Sequence, residues 1–116
     1  MRYRSNGQIG DIMQYLEKAV ETYLCKEVKK RGGMAIKQNT EAGLPDRLVL
    51  WRGGVAFVEL KRPGGRVSAI QAEYHRRLRA MGHEVAVLYD FGQVDEFIKK
   101  HFKERGHEDG LEKTGP

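Results

Sequence analysis

With one cysteine, three prolines and one tryptophan among 116 residues, the chain is short of the side chains on which several protein classes depend. A lone thiol, Cys25, closes no intramolecular disulfide and builds no multi-cysteine zinc or iron–sulfur site. Lying inside a helical run, it is expected to be a buried thiol in a reducing compartment. No apolar stretch approaches the roughly 20 residues that span a bilayer, and the N-terminal MRYRSNGQIG lacks the apolar centre of a signal peptide. A soluble, cytoplasmic protein with no membrane contact is the expectation. His75, His83, His101 and His107 are too scattered in sequence to suggest a metal cluster. The glycine-rich RPGG lacks the Lys-Ser/Thr ending of a nucleotide-binding loop, so no nucleotide cofactor is expected. There is no internal repeat and no linker that would support a second domain.

Charge is what the chain has in quantity. Lys and Arg number 21 against 16 Asp and Glu, a formal net charge of +5 that favours a polyanionic partner. The division expected is a loose segment over residues 1–7, one domain over 8–105 and a frayed polar tail over 106–116.

From Gln8 to Arg31 the apolar residues Ile12, Leu16, Ala19, Tyr23 and Val28 recur at helical spacing, predicting a long amphipathic helix with a break near Gly10. Gly32 and Gly33 end it after three basic residues. Tyr15 and Tyr23, about two helical turns apart, suggest packing on a sheet or on a second subunit. MAIKQ (34–38) reads as a short strand. RLVLW and VAFVELK flank Arg52-Gly53-Gly54 as a hairpin whose apolar residues occupy both faces, placing it centrally in the sheet. Ser68 caps a helix running to about Met81, EVAVLYD (84–90) is a fourth strand and VDEFIKKHF (94–102) a last helix. The order predicts a mixed sheet flanked by helices, an α/β fold in which the third and fourth strands are joined by a parallel crossover. Trp51 is expected to fill the core end of the hairpin.

Asp46, Glu59 and Lys61 stand in segments that otherwise call for burial, where a charge is costly unless paired or bound to a metal. With the turn centred on Gly53, Arg47 is expected opposite Glu59 and Asp46 at the edge of the pairing. The hairpin thus brings two carboxylates within reach of one ion. Glu59 and Lys61 point to one side of their strand and Leu60 to the other, so the carbonyl of Leu60 can add a ligand. An all-oxygen set of this kind suits magnesium, with manganese as a substitute, better than zinc. Metal-assisted phosphodiester hydrolysis is the fitting chemistry, with Lys61 orienting a water or stabilising charge on the phosphate. Glu17 and Glu21, one turn apart on the first helix, both qualify to complete the shell. A plain strand-edge ion pair between Glu59 and Lys61 is the alternative.

Glu17, GLPDRLVL (43–50), FVELKRPGG (57–65) and SAIQ (68–71), in that order, resemble the VRR-NUC domain (virus-type replication-repair nuclease), a branch of the PD-(D/E)XK nuclease superfamily. The resemblance runs from about Leu16 to Leu88. It implies a restriction-endonuclease-like fold in which Asp46, Glu59 and the carbonyl of Leu60 bind the metal and Lys61 is catalytic. Glu17 matches the family's helical acid better than Glu21, and Gln71 matches a glutamine that supports the site or touches the phosphate backbone. Stand-alone domains of this size come from phages and bacteria and resemble Holliday junction resolvases, which act in repair and recombination as homodimers on four-way DNA. The resemblance therefore implies a structure-selective DNA endonuclease. A DNA-binding protein without hydrolytic activity and a sequence-specific restriction enzyme are its rivals. Arg62 and Arg66 beside Gly64 and Gly65 are candidates for phosphate contacts, and Lys37 and Gln38 for lining a DNA channel. Arg47 is a candidate either for neutralising the carboxylates or for touching the scissile strand.

Overall fold

The computed structural model describes residues 6–102, with side chains from Gly10 onward. Seven elements follow one another: α1 (Asn6–Lys30), β1 (Met34–Lys37), β2 (Arg47–Trp51), β3 (Gly54–Leu60), α2 (Ala69–Ala80), β4 (Glu84–Leu88) and α3 (Phe91–His101). The strands form one sheet in the order β1-β2-β3-β4, antiparallel except for the parallel β3–β4 pair. The hairpin is central, as its two-sided apolar pattern requires.

Strand alternation sorts the side chains between two faces. Val49, Ala56, Val58, Leu60 and Leu88 pack against Val20, Leu24 and Val28 of α1 and Val94, Phe97 and Ile98 of α3, forming the main core. Trp51 closes one end of this core, stacked on His101 at 4.4 Å and edge-on to Phe97 at 6.2 Å. α2 lies on the opposite face, its buried His75 beside Glu59, its Leu78 also buried and its Arg79 donating to the carbonyl of Val85 at 2.8 Å. Tyr23 anchors α1 to α3, its hydroxyl donating to Asp95 at 2.6 Å, whereas Tyr15 is 71% exposed.

Several boundaries differ from the sequence expectation, each for a local reason. α1 is unbroken at Gly10, and Asn6 and Gly7 are helical rather than loose; the expected tail over 106–116 lies outside the described residues. α3 starts three residues early because Asp90 caps it, its carboxylate accepting from Gln93 N–H at 2.8 Å. Cys25 is half-buried rather than enclosed, and burial pushes its thiol pKa up. The hairpin register differs too, with the largest consequence. Trp51 pairs with Gly54, so the turn is the two residues Arg52-Gly53, with Gly53 at φ +87°. Arg47 accordingly lies opposite Val58, not Glu59.

α2 begins with a reciprocal cap. Gln71 N–H donates to Ser68 Oγ at 3.1 Å, and Ser68 N–H donates to Gln71 Oε1 at 2.8 Å. Ser68→Ala is expected to cost about 1 kcal/mol in urea unfolding.

Candidate active site

The shift of the hairpin by one residue is what assembles the site. Continuing the observed register one step past Arg47–Val58 sets Asp46 across from Glu59, on the same face of the sheet. The loop between β1 and β2 is closed at its neck by Gln38 N–H, which donates to the carbonyl of Asp46 at 2.8 Å. Pro45 is buried. Gly43, at φ +90°, lies so close to Ile70 and Tyr74 of α2 that no side chain fits there. The segment carrying Pro45-Asp46 is therefore laid directly on α2. The Asp46 side chain is held by the strand it faces, because Leu60 N–H donates to Asp46 Oδ2 at 2.8 Å. Leu60 thus meets the site through its amide, while its side chain belongs to the main core.

Glu59 is only 1% exposed. Gln71 Nε2 donates to its Oε2 at 3.0 Å, and the Lys61 ammonium stands 3.8 Å from the same oxygen. On the other side, His75 Nε2 is 3.7 Å from Glu59 Oε1. Among the described residues these two atoms, Glu59 Oε1 and His75 Nε2, are the buried side-chain polar atoms left without a hydrogen-bond partner. Burial first, then the neighbouring Asp46 carboxylate, push the pKa of Glu59 up to about 8; Lys61 pulls the other way, and the charge of Glu17 adds to the rise. Burial lowers that of His75, helped by the positive charges of Arg79 and Lys61.

The two candidate acids of α1 are separated by their surroundings. Glu21 is engaged by the strands, where Arg47 Nε donates to its Oε2 at 2.8 Å and Lys37 lies 3.8 Å away. Arg47 also donates to the carbonyl of Ala35 at 3.0 Å. Glu17 is the acid of α1 whose charge reaches Glu59. It lines an open groove of about 590 Å³ with Tyr15, Lys18, Glu21 and Arg62. Arg62 and Arg66 are exposed on the loop between β3 and α2, and Gln38 is half-buried at the loop neck.

Among the described residues no three Asp, Glu, His or Cys side chains gather tightly enough to form a complete metal cage. What the site does hold is a half-buried carboxyl, Asp46, across from a fully buried one, Glu59, which has an orphaned oxygen and a raised pKa, with the Lys61 ammonium beside it. That imbalance fits a hard divalent cation taking two protein carboxylates and completing its shell with water or substrate oxygens. His75 is the residue that sequence reasoning passed over. The signal was present: it follows Gln71 by four residues and precedes Leu78 by three, so all three share a helix face.

No protein-family model matches the chain. The curated "Putative nuclease p44" of Acyrthosiphon pisum secondary endosymbiont phage 1 is 45% identical over 75 residues, covering 62% of this chain and 81% of that protein. A solved structure described as a VRR_NUC domain superposes with a TM-score of 0.64 at 32% identity, over 74% of this chain and 96% of that one.

Proposed function

Since the chain belongs to the VRR-NUC family of nuclease domains, we propose that it hydrolyses DNA phosphodiester bonds with a divalent cation held by Asp46 and Glu59. The observation that carries this reading is the buried Glu59 carboxyl, pushed up by the half-buried Asp46 carboxylate, with Lys61 beside it. Glu17 is the third acid in preference to Glu21, which Arg47 and Lys37 already neutralise. Magnesium is the fitting ion and manganese its substitute. When bound, such an ion supplies Lewis acidity toward a phosphoryl oxygen and lowers the pKa of a water.

The protein's own part is to hold and aim. Leu60 N–H fixes Asp46, Gln71 fixes Glu59, and the Lys61 ammonium faces the same small volume, where it stabilises negative charge building on the phosphate. Arg62 and Arg66 meet the backbone phosphates on one side of the cut. Lys37, Gln38 and Arg47 border the loop neck; of these Arg47 acts through Glu21, and Lys37 is the more accessible cation. Branched DNA is the proposed substrate and a homodimer the proposed working form, since two symmetric cuts at a junction call for two sites related by a two-fold axis. Exposed Met34, Ile36 and Val55, on one face of the β1 side of the sheet, give a second copy apolar surface to cover. The phage relative supports action in the cytoplasm of a bacterial host. Among the described residues no helix is long and apolar enough to cross a membrane.

The test is cleavage of labelled four-way, flap, single-stranded and linear duplex DNA with magnesium, manganese or chelator. Cutting of branched substrates that chelator stops is expected. Cutting that survives chelator overturns the metal reading, equal cutting of all substrates overturns the branch preference, and binding without cutting overturns the enzyme.

A further inference from the structure

We propose that His75 is a positioning residue that donates a hydrogen bond from Nε2 to Glu59 Oε1 and, with Gln71, grips the Glu59 carboxylate from both sides.

Two orphaned atoms face each other here. His75 is 3% exposed and Glu59 1%, and neither His75 Nε2 nor Glu59 Oε1 has another partner among the described residues. They stand 3.7 Å apart, about half an ångström beyond the roughly 3.2 Å limit of an N–H···O hydrogen bond. A buried polar atom without a partner is expensive, and the cheapest remedy for both is the same small closure. Once Glu59 is ionised, as with a cation bound or above its raised pKa, the carboxylate can only accept, so in that state the hydrogen belongs to His75. The other oxygen of Glu59 is already held by Gln71 at 3.0 Å. Gln71 and His75 lie four residues apart on α2, so one helix face carries both donors and the carboxylate enters between them. Each carboxylate oxygen keeps a further lone pair for a cation. His75 then acts as the outer partner of a metal-binding carboxylate, whose removal usually weakens metal affinity or activity by tenfold or more.

This rests on the function proposed above only where a metal is read out, so the experiment has two arms. The first is long-range proton–nitrogen NMR of the His75 ring, with magnesium and, without metal, at about pH 9, where the carboxyl is ionised. A hydrogen on Nε2 in a bond to oxygen is expected; a bare Nε2 overturns the proposal whether or not any ion binds. The second is calorimetric titration with Mn²⁺ alone of the wild type, His75→Phe and His75→Gln, beside their melting curves. His75→Phe keeps the ring volume without the donor and is expected to bind Mn²⁺ about tenfold more weakly, with partial recovery in His75→Gln. Equal affinity in His75→Phe and wild type overturns the proposal. Should wild type bind no Mn²⁺, the metal reading falls and the NMR arm decides for His75. Should His75→Phe fail to fold, the ring NMR decides in its place.

Discussion

Lys61→Ala is expected to lower the single-turnover cleavage rate by about a hundred- to ten-thousandfold while leaving the fold intact. The ammonium sits 3.8 Å from Glu59 Oε2 on a mostly buried side chain, facing the volume bounded by both carboxyls. A charge placed there is worth most when negative charge grows on the phosphate, because the surroundings are poor in water. The backbone contribution of this residue, Lys61 N–H to the carbonyl of Leu88 at 3.0 Å, is untouched by alanine and continues the β3–β4 pairing. DNA binding, measured separately with chelator present, should change by only a few-fold, since one of several phosphate contacts is lost. A variant that cuts at the wild-type rate removes Lys61 from the chemistry.

In chelator, the folded protein is expected to lose stability as the pH rises from about 6.5 to 8, at up to about 1.4 kcal/mol per pH unit. Glu59 is held near 8 in the fold against an ordinary 4.5, because of its burial and Asp46. Between those values the folded chain keeps a proton that the unfolded chain has released, so raising the pH favours unfolding until the folded carboxyl ionises. The groups facing Glu59 are Asp46, Lys61, Glu17 and His75. His75, whose pKa is lowered by burial, acts in the opposite sense, but only below about 6.5, where the unfolded imidazole takes up its proton. Glu27 and Glu73, lowered by Arg31 and Arg76, contribute only toward acid. Urea unfolding across this window should therefore slope downward for the wild type and run flat for Glu59→Gln, which keeps the shape and sheds the titration. Magnesium should restore the wild type at pH 8 by mass action and leave Glu59→Gln unchanged. A flat wild-type profile in chelator refutes the inverted carboxyl.

Much of the fold is legible in the residues alone. The apolar period of α1, the two-sided strands of the hairpin and the Ser68 and Gly82 punctuation around α2 are local signals, and each corresponds to the expected element. The Asp46, Glu59 and Lys61 neighbourhood follows from the hairpin. What escapes depends on contacts distant in sequence or on turn geometry. A three-residue turn and a two-residue turn are both compatible with Arg52-Gly53-Gly54, and the choice decides whether Arg47 or Asp46 faces Glu59. Glu17 and Glu21 share a helix face, so spacing does not separate them. Their difference comes from Arg47 and Lys37, which β1 and β2 carry to Glu21. For His75 the spacing from Gln71 and Leu78 gives the helix face, but its nearness to Glu59 arises only when α2 is laid over β3.

The amide of Gln71 has both ends committed: its oxygen receives Ser68 N–H at the start of α2 and its nitrogen reaches Glu59. Secondary structure and active-site aim are thereby soldered at a single side chain. Neither glutamate nor lysine could stand in for it, since each would present only acceptors or only donors at a junction demanding one of each. Local melting of the first turn of α2 would also release the acid, so the reactive arrangement can be no longer-lived than that turn.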